Sequence, residues 1–345
     1  MALAAPLASD RFAGTPARLT PVAIAGATGY AGQELVRILA RHPAVTLTAA
    51  MSSGATSTPR PMPALARIWD GEIVPLDVDR LAREAEVVFL ALPEAASAEL
   101  APALLERGLR VIDLSGAFRI RADEDRHRWY PATTQLPEGT VYGMTEGRQA
   151  AIRQARLVSN PGCYPTAALL ALEPLSSAGL LEGAVFVDAK SGVSGAGKAP
   201  SERTHFSENH GSVAAYGVFS HRHGAEIEQE LGRAVTFVPH LVPLDRGILE
   251  TIYASLMPGT TESQVADVLT RAYADAPFVR LTGGALPEIK HVVHTNFCDI
   301  GWKVDPDRGR VVLVVVIDNL LKGAAGSAVQ NLNVLLGLDE RTGLL

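Results

Sequence analysis

Cys163 stands in the run Ser159-Asn160-Pro161-Gly162-Cys163-Tyr164-Pro165-Thr166 and is one of only two cysteines in the chain. Asn-Pro-Gly is turn chemistry, Pro165 suits a first helical turn, and residues 166–172 are apolar all round, so the pattern predicts a turn opening a buried helix. A thiol there lies over unpaired backbone N–H groups and the positive end of the helix dipole, which favour thiolate over thiol. The expectation is a nucleophile with a lowered pKa, set against the commoner role of a lone cysteine as a small buried hydrophobe.

The nitrogen bases that suit such a thiol are in His221-Arg222-His223, with Glu226 following. Imidazole titrates near neutrality and can move a proton as a thiol attacks a carbonyl. A solvated polar cluster is the competing reading. The two histidines would also share one strand face, but no third metal ligand is spaced nearby, so no metal site is read. No Gly-x-Ser-x-Gly run is present to support a serine hydrolase. The stretch Ser191-Gly192-Val193-Ser194-Gly195-Ala196-Gly197-Lys198, preceded by Lys190, offers N–H groups and cations to an anionic substrate, or else is a flexible surface loop.

Positioning these groups requires a scaffold, and its first half is a strand, glycine turn and helix. Residues 21–25 are a short apolar strand, Gly26-Ala27-Thr28-Gly29-Tyr30-Ala31-Gly32 follows, and residues 33–41 read as a helix. Glycines there let the backbone approach a pyrophosphate while the helix N-terminus offers it N–H groups. The spacing is GxxGxxG rather than GxGxxG, so the strand–turn–helix context carries the dinucleotide reading. A second strand, 45–50, ends in Met51-Ser52-Ser53 with no acid to accept a ribose 2′-hydroxyl. Ser52 and Ser53, with Arg60 near, suit a 2′-phosphate instead, which favours NADP(H) over NAD.

Strands at 86–93 and 110–115, separated by a helix at 95–106, extend the pattern to a doubly wound parallel sheet. Leu92-Pro93 and Ser115-Gly116 then fall on the crevice rim at the strands' carboxyl ends. Past Cys163 the strands at 184–190, 234–238, 247–256 and 311–317 lack a helix after each, which indicates an α+β second half.

The length of 345 residues favours two domains, and 47% hydrophobic with 20% charged residues describes an ordinary globular protein. A formal net charge of −6 gives no footprint for nucleic acid. No apolar run approaches a membrane span, and residues 1–20 read as a loose tail rather than a secretory signal. Cys163 and Cys298, far apart and outside any CxxC pair, fit a reducing, cytoplasmic compartment without disulfides.

Taken together, the motifs resemble the N-acetyl-gamma-glutamyl-phosphate reductases, relatives of aspartate-semialdehyde dehydrogenase. The resemblance spans nearly the whole chain after the tail: Asn160 to Thr166, the glycine turn at 26–32, Asp113-Leu114-Ser115, Phe118-Arg119, Val141-Tyr142-Gly143, the Ser191 to Gly197 loop, His221-Arg222-His223, Pro239-His240-Leu241 and Asp318-Asn319. The chain departs from the family pattern at Ala225, where Pro is common, at Gly116-Ala117, where Ala-Asp is usual, and at Ser327, where Gln is frequent.

The resemblance implies a Rossmann-like α/β cofactor domain over 21–162, an α+β catalytic and oligomerisation domain over 163–322, and a C-terminal helix within 323–345 that returns to the cofactor domain. It implies NADPH-dependent reduction of N-acetyl-L-glutamyl 5-phosphate to the 5-semialdehyde with release of inorganic phosphate, the third step of arginine biosynthesis, through a Cys163 thioester. Arg119 and Asn160, with Ser191 and Lys198, are the implied substrate and phosphate contacts. His221 is the implied acid–base with His223 its competitor, and Glu226 orients the imidazole. Gly26, Thr28, Gly29, Tyr30, Gly32, Ser52, Ser53, Leu92, Pro93, Ser115, Gly195 and Asn319 are the implied cofactor contacts. The family also implies a homo-oligomer, a tetramer. Two other readings remain open at this point: a reductase of a carrier-protein-linked aminoadipyl phosphate in lysine biosynthesis, and a non-catalytic NADP-binding regulator, which would have no need of Cys163.

Overall fold

The computed structural model describes residues 18–52 and 58–345. Ser53 and most of the N-terminal tail lie outside them. Among these residues two sheets form, one of eight strands and one of seven. The first contains β1 (Thr20–Ala25), β2 (Val45–Ser52), β3 (Arg60–Pro61), β4 (Glu72–Pro75), β5 (Val87–Leu90), β6 (Arg110–Asp113), β7 (Thr140–Tyr142) and β8 (Leu157–Ser159) in the order β3-β4-β2-β1-β5-β6-β8-β7. All its pairs are parallel except β3 with β4.

Both faces of this sheet are covered, and its strands show why. In β1 Val22 and Ile24 face one way, into a core with Leu35, Val36, Val329 and Leu332. Ala23 and Ala25 face the other, into a core with Leu100, Leu104 and Leu157. Each fully buried aliphatic side chain contributes about 1.5–3 kcal/mol, so two apolar faces force a doubly wound sandwich. The C-terminal helix Gly326–Leu335, every residue of it buried, fills the first face beside helix Tyr30–Leu39.

The second sheet contains β9 (Leu181–Gly192), β10 (Ala214–Ala215), β11 (Val235–Val242), β12 (Ile248–Leu256), β13 (Val279–Gly283), β14 (Cys298–Asp305) and β15 (Arg310–Ile317), ordered β10-β11-β9-β12-β15-β14-β13. Its β9/β11 and β13/β14 pairs are parallel and the rest antiparallel. Three helices separate its strands where none was expected, Phe206–Asn209 before β10, Arg222–Leu231 before β11 and Glu262–Ala272 after β12. The alternation Ile248, Ile252, Ala254 in β12 turns one face toward helix Cys163–Ser177, while Tyr253 on the opposite face is exposed.

The first sheet's chain reversal lies between β1 and β5, and the glycine turn sits at that switch point. Gly26 has φ +96°, where a Cβ would stand 2.2 Å from the Ala91 carbonyl oxygen. A Cβ on Gly32 would stand 2.2 Å from the Gly26 oxygen, so the turn closes onto the helix only without side chains. Gly32→Ala should cost about 1–3 kcal/mol of stability and weaken dinucleotide binding by about tenfold or more. Thermal melts with and without cofactor check both, and an unchanged affinity would remove this turn from the binding site.

Candidate active site

β8 runs into Asn160-Pro161-Gly162, and Gly162, with extended φ −66° and ψ 155°, starts helix Cys163–Ser177. Cys163 is therefore the first helical residue, as the turn chemistry requires. The turn is fixed by a carboxylate. Glu226 accepts from the Gly162 N–H at 2.8 Å and from the Tyr142 hydroxyl at 2.7 Å, and Arg119 Nη1 donates to its second oxygen at 3.4 Å. Glu226 is wholly buried; burial raises its carboxyl above the usual range, and Arg119 acts against that.

The structure corrects several expected roles. Arg119 does not present a free fork to a phosphate: its Nε donates to the Asn160 carbonyl and its Nη2 to the Leu114 carbonyl, each at 2.8 Å. The Asn160 amide is likewise turned inward, donating to the Ala324 carbonyl at 3.3 Å and accepting from Asn331 at 3.0 Å. Glu226 orients the Cys163 turn and bonds neither imidazole. Lys198 reaches across to the Thr28 carbonyl at 3.3 Å and so lies at the glycine turn. Ser191 is buried and donates to the Gly192 carbonyl. Ser115 donates to Asp113 at 2.7 Å and accepts from the Ala117 N–H, which shapes the loop after β6. Gly116 in that loop has a physical reason: any Cβ would stand 2.2 Å from the Tyr130 ring.

The other expected cofactor contacts gather at the switch point or brace its far side. Thr28 and Ser52 hydroxyls lie 3.4 Å apart. Gly29 has room beyond its backbone, and Tyr30 is an exposed first residue of its helix. Leu92 is buried and Pro93 starts helix Glu94–Glu106 at the crevice rim. Asn319 accepts from the Gly247 N–H and donates to Ser194, and Gly195 leaves room for Ser191 Oγ, which a Cβ would approach to 2.8 Å. A dinucleotide fits these residues, because the Gly26 and Gly32 cradle is the surface a Cβ would fill.

The two histidines do not share a strand face. His221 is the N-cap of helix Arg222–Leu231, its Nδ1 accepting from the His223 N–H at 3.1 Å, which leaves Nε2 for the cavities on either side. His223 packs on Gly162, with Nε2 accepting from Arg119 at 3.4 Å and a buried Nδ1 that has no partner among the described residues. The rings stand 4.7 Å apart, and His221 meets Tyr164 at 5.9 Å. Burial lowers His221 to about 4 and His223 well below the usual imidazole range. Both are neutral at pH 7.

Cys163 is half-buried, and burial works against the low pKa expected of it. Burial pushes the thiol up to about 12, against the opposing pull of Arg119 and the Tyr164 N–H. Desolvation exceeds the helix-end stabilisation because the apolar helix that supplies the dipole also removes water. Glu250 on β12 faces the same helix, wholly buried, with neither carboxyl oxygen hydrogen-bonded among the described residues.

Sequence reasoning took Tyr142 only as part of a family motif, without a role, and missed Asn331 and Tyr216; the partners of all three are remote in the chain. It also missed Arg246, which joins Glu34 of the first domain's helix to Asp318, and the buried Lys322–Glu146 pair.

Two domains, one with a dinucleotide cradle and one opening its helix with a cysteine, define the semialdehyde dehydrogenase class. The family described as "Semialdehyde dehydrogenase, NAD binding domain" matches residues 21–155, and "Semialdehyde dehydrogenase, dimerisation domain" matches residues 163–319. Among solved structures, aspartate semialdehyde dehydrogenase II from Vibrio cholerae superposes with a TM-score of 0.72 at 21% identity, covering 93% of this chain and 99% of that one. The Candida albicans aspartate semialdehyde dehydrogenase, solved with NADP, gives 0.69 at 15% identity, covering 92% and 99%. Closer in sequence are N-acetyl-gamma-glutamyl-phosphate reductases, from Brevibacillus brevis at 46% identity over 94% of this chain and 97% of the relative, and from Shouchella clausii at 46% over the same shares. The chain belongs to the N-acetyl-gamma-glutamyl-phosphate reductase family.

Burial holds the Glu250 carboxyl well above its ordinary 4.5. Folding therefore favours the protonated form, and the stability this group contributes is complete below about pH 4.5 and lost as pH rises through the folded value. Glu250→Gln, neutral at every pH, should melt higher than wild type by a margin that widens from pH 5 to pH 9, reaching about 1–3 kcal/mol. A margin independent of pH would show that Glu250 is ionised in the fold.

Proposed function

We propose that this protein reduces N-acetyl-L-glutamyl 5-phosphate to N-acetyl-L-glutamate 5-semialdehyde with NADPH, releasing phosphate, as the third step of arginine biosynthesis in the cytoplasm. Cys163 at the opening of its helix, with His223 packed on the preceding Gly162, is the observation that carries this reading. Residues 21–162 hold the cofactor, 163–322 carry the chemistry and oligomer contacts, and 323–345 close onto the cofactor domain. The sequence Met51-Ser52, with no acid at the end of β2, favours a 2′-phosphate beside the Ser52 and Thr28 hydroxyls.

The mechanism follows from the charge states. The Cys163 sulfur attacks the acyl carbonyl as its proton leaves, because neither a thiol held near 12 nor an imidazole held near 4 is charged beforehand. The proton passes through His221 at Nε2 to the departing phosphate, leaving a Cys163 thioester. N–H groups at the helix start face the developing oxyanion; losing one such donor typically costs about 2.7–4 kcal/mol. The nicotinamide cofactor, when bound, supplies the hydride that reduces the thioester. Collapse then releases the aldehyde, and the Cys163 thiolate takes a proton from solvent through His221. Arg119, Glu226 and Asn160 position the turn, and Lys198 closes over the cofactor end.

We also infer a homo-oligomer, a tetramer built from dimers. The second sheet's outer face pairs Tyr253 directly with Phe186, exposed by 45% and 49%, an aromatic couple suited to a copy of the same face. Tyr253→Lys with Phe186→Lys should reduce the assembly by sedimentation, whereas unaltered mass would place the contact elsewhere.

The function is tested by phosphate-dependent reduction of NADP with N-acetylglutamate 5-semialdehyde. Cys163→Ala should abolish turnover. His221→Asn, which keeps an N-cap oxygen for the His223 N–H, should lower kcat by about 10²- to 10⁴-fold. NAD should be used less efficiently than NADP. Folded, NADP-binding wild type with no turnover would overturn the reading, and undiminished turnover by Cys163→Ala would overturn the thioester.

A further inference from the structure

The cavity bounded by His221, Tyr216 and the loop carrying Gly195 encloses about 780 Å³. With Arg119 and Asn160 turned inward, the cations left on its wall decide how an anionic substrate is read. Arg222 is neutralised by Glu94 at 2.6 Å. Lys198 lies at Thr28, away from this wall. Arg203 remains, and among the described residues it forms no ion pair, although Glu202 and Glu208 share the wall. Its guanidinium lies over the Tyr216 ring, 5.2 Å from the centroid. The Tyr216 hydroxyl meets that of Tyr164 at 3.2 Å, and Tyr164 adjoins Cys163. The order Cys163, Tyr164, Tyr216, Arg203 therefore separates the guanidinium from the Cys163 turn by two tyrosine rings. Stacking holds its plane and leaves the N–H edge free for a planar carboxylate.

On the acyl-phosphate reading above, the substrate is anionic at both ends. The phosphate is attached to the carbonyl that Cys163 attacks and must lie beside the thiol, while the α-carboxylate lies at the other end of the chain. We propose that Arg203 is a specificity-determining residue that binds the α-carboxylate of the N-acetylglutamyl chain across the Tyr216 ring.

The test uses the full-length enzyme in the reverse direction with two aldehydes, N-acetylglutamate 5-semialdehyde and 4-acetamidobutanal, which is the same chain without its carboxylate. Arg203→Met should raise KM for the acid by about 10- to 100-fold, leave KM for phosphate and NADP unchanged, and leave turnover of 4-acetamidobutanal as in wild type. Arg203→Lys should fall between. A parallel loss on both aldehydes, a raised KM for phosphate in place of the acid, or no change overturns the assignment while the reductase reading stands. A wild type inactive on the semialdehyde overturns that reading and this assignment with it.

Discussion

The fully buried Glu226 carboxyl beneath Gly162 is the constraint on which the site depends. It joins the end of β7 through Tyr142, the loop after β6 through Arg119, the Cys163 turn through the Gly162 N–H, and its own helix, whose N-cap is His221. The Cys163 sulfur and the imidazoles are thus referenced to one atom group. A buried ion pair is rarely a source of net stability, because desolvating two charges offsets most of their attraction, but losing one partner typically costs about 3–5 kcal/mol. Such a pair penalises every wrong arrangement more than it rewards the right one. That asymmetry suits a turn whose sulfur, in the proposed mechanism, must meet a carbonyl at bonding distance.

The same reasoning extends to the C-terminal helix. Asn331 donates to the Gly143 carbonyl and to Asn160, and accepts from Thr145, so the helix is tied to the Cys163 turn from behind. The π-helical turn Leu321–Ala325 before it brings Gly323 against the cysteine, where a Cβ would stand 2.8 Å from that of Cys163. Lys322 in that turn is buried, paired with Glu146 and Gln330; burial pushes the Glu146 carboxyl up, but Lys322, Gln330 and a backbone N–H together more than offset it and the carboxyl lies below its usual range. With Arg246 binding both Glu34 and Asp318, the domains meet through polar contacts that are directional as well as apolar ones that are not. The crevice between cradle and thiol therefore has a defined width.

What was legible in the sequence was local. The Asn-Pro-Gly turn, the glycine turn and the apolar strands of the first sheet each express their structure within about ten residues, and the strands β1, β2, β5 and β6 stand close to where hydropathy puts them. Helix Glu262–Ala272 was legible too, since Thr261 and Gln264 form a capping box, and it was overlooked. The destinations of polar side chains were not legible. Arg119 and Asn160 have the chemistry of phosphate ligands, but their partners Glu226 and Asn331 lie 107 and 171 residues away. No local pattern encodes such a pairing. Gly116 is the same case, because its missing side chain answers to Tyr130.

The acidity of Cys163 shows how far the distinction reaches. Helix-end stabilisation is a local effect of a few N–H groups, and the sequence predicts it; desolvation by the surrounding core is a tertiary effect, and here it is larger. The outcome is a resting pair of neutral groups, thiol and imidazole, in place of thiolate and imidazolium. A neutral thiol is a poor target for oxidants and stray electrophiles. In the proposed mechanism it becomes a nucleophile only when a carbonyl already occupies the site, because the proton can then leave as the carbon–sulfur bond forms. The burial that raises the thiol pKa thereby couples reactivity to occupancy, and the rigid turn over Glu226 makes that coupling usable, since a sulfur that ionises late must already be in position.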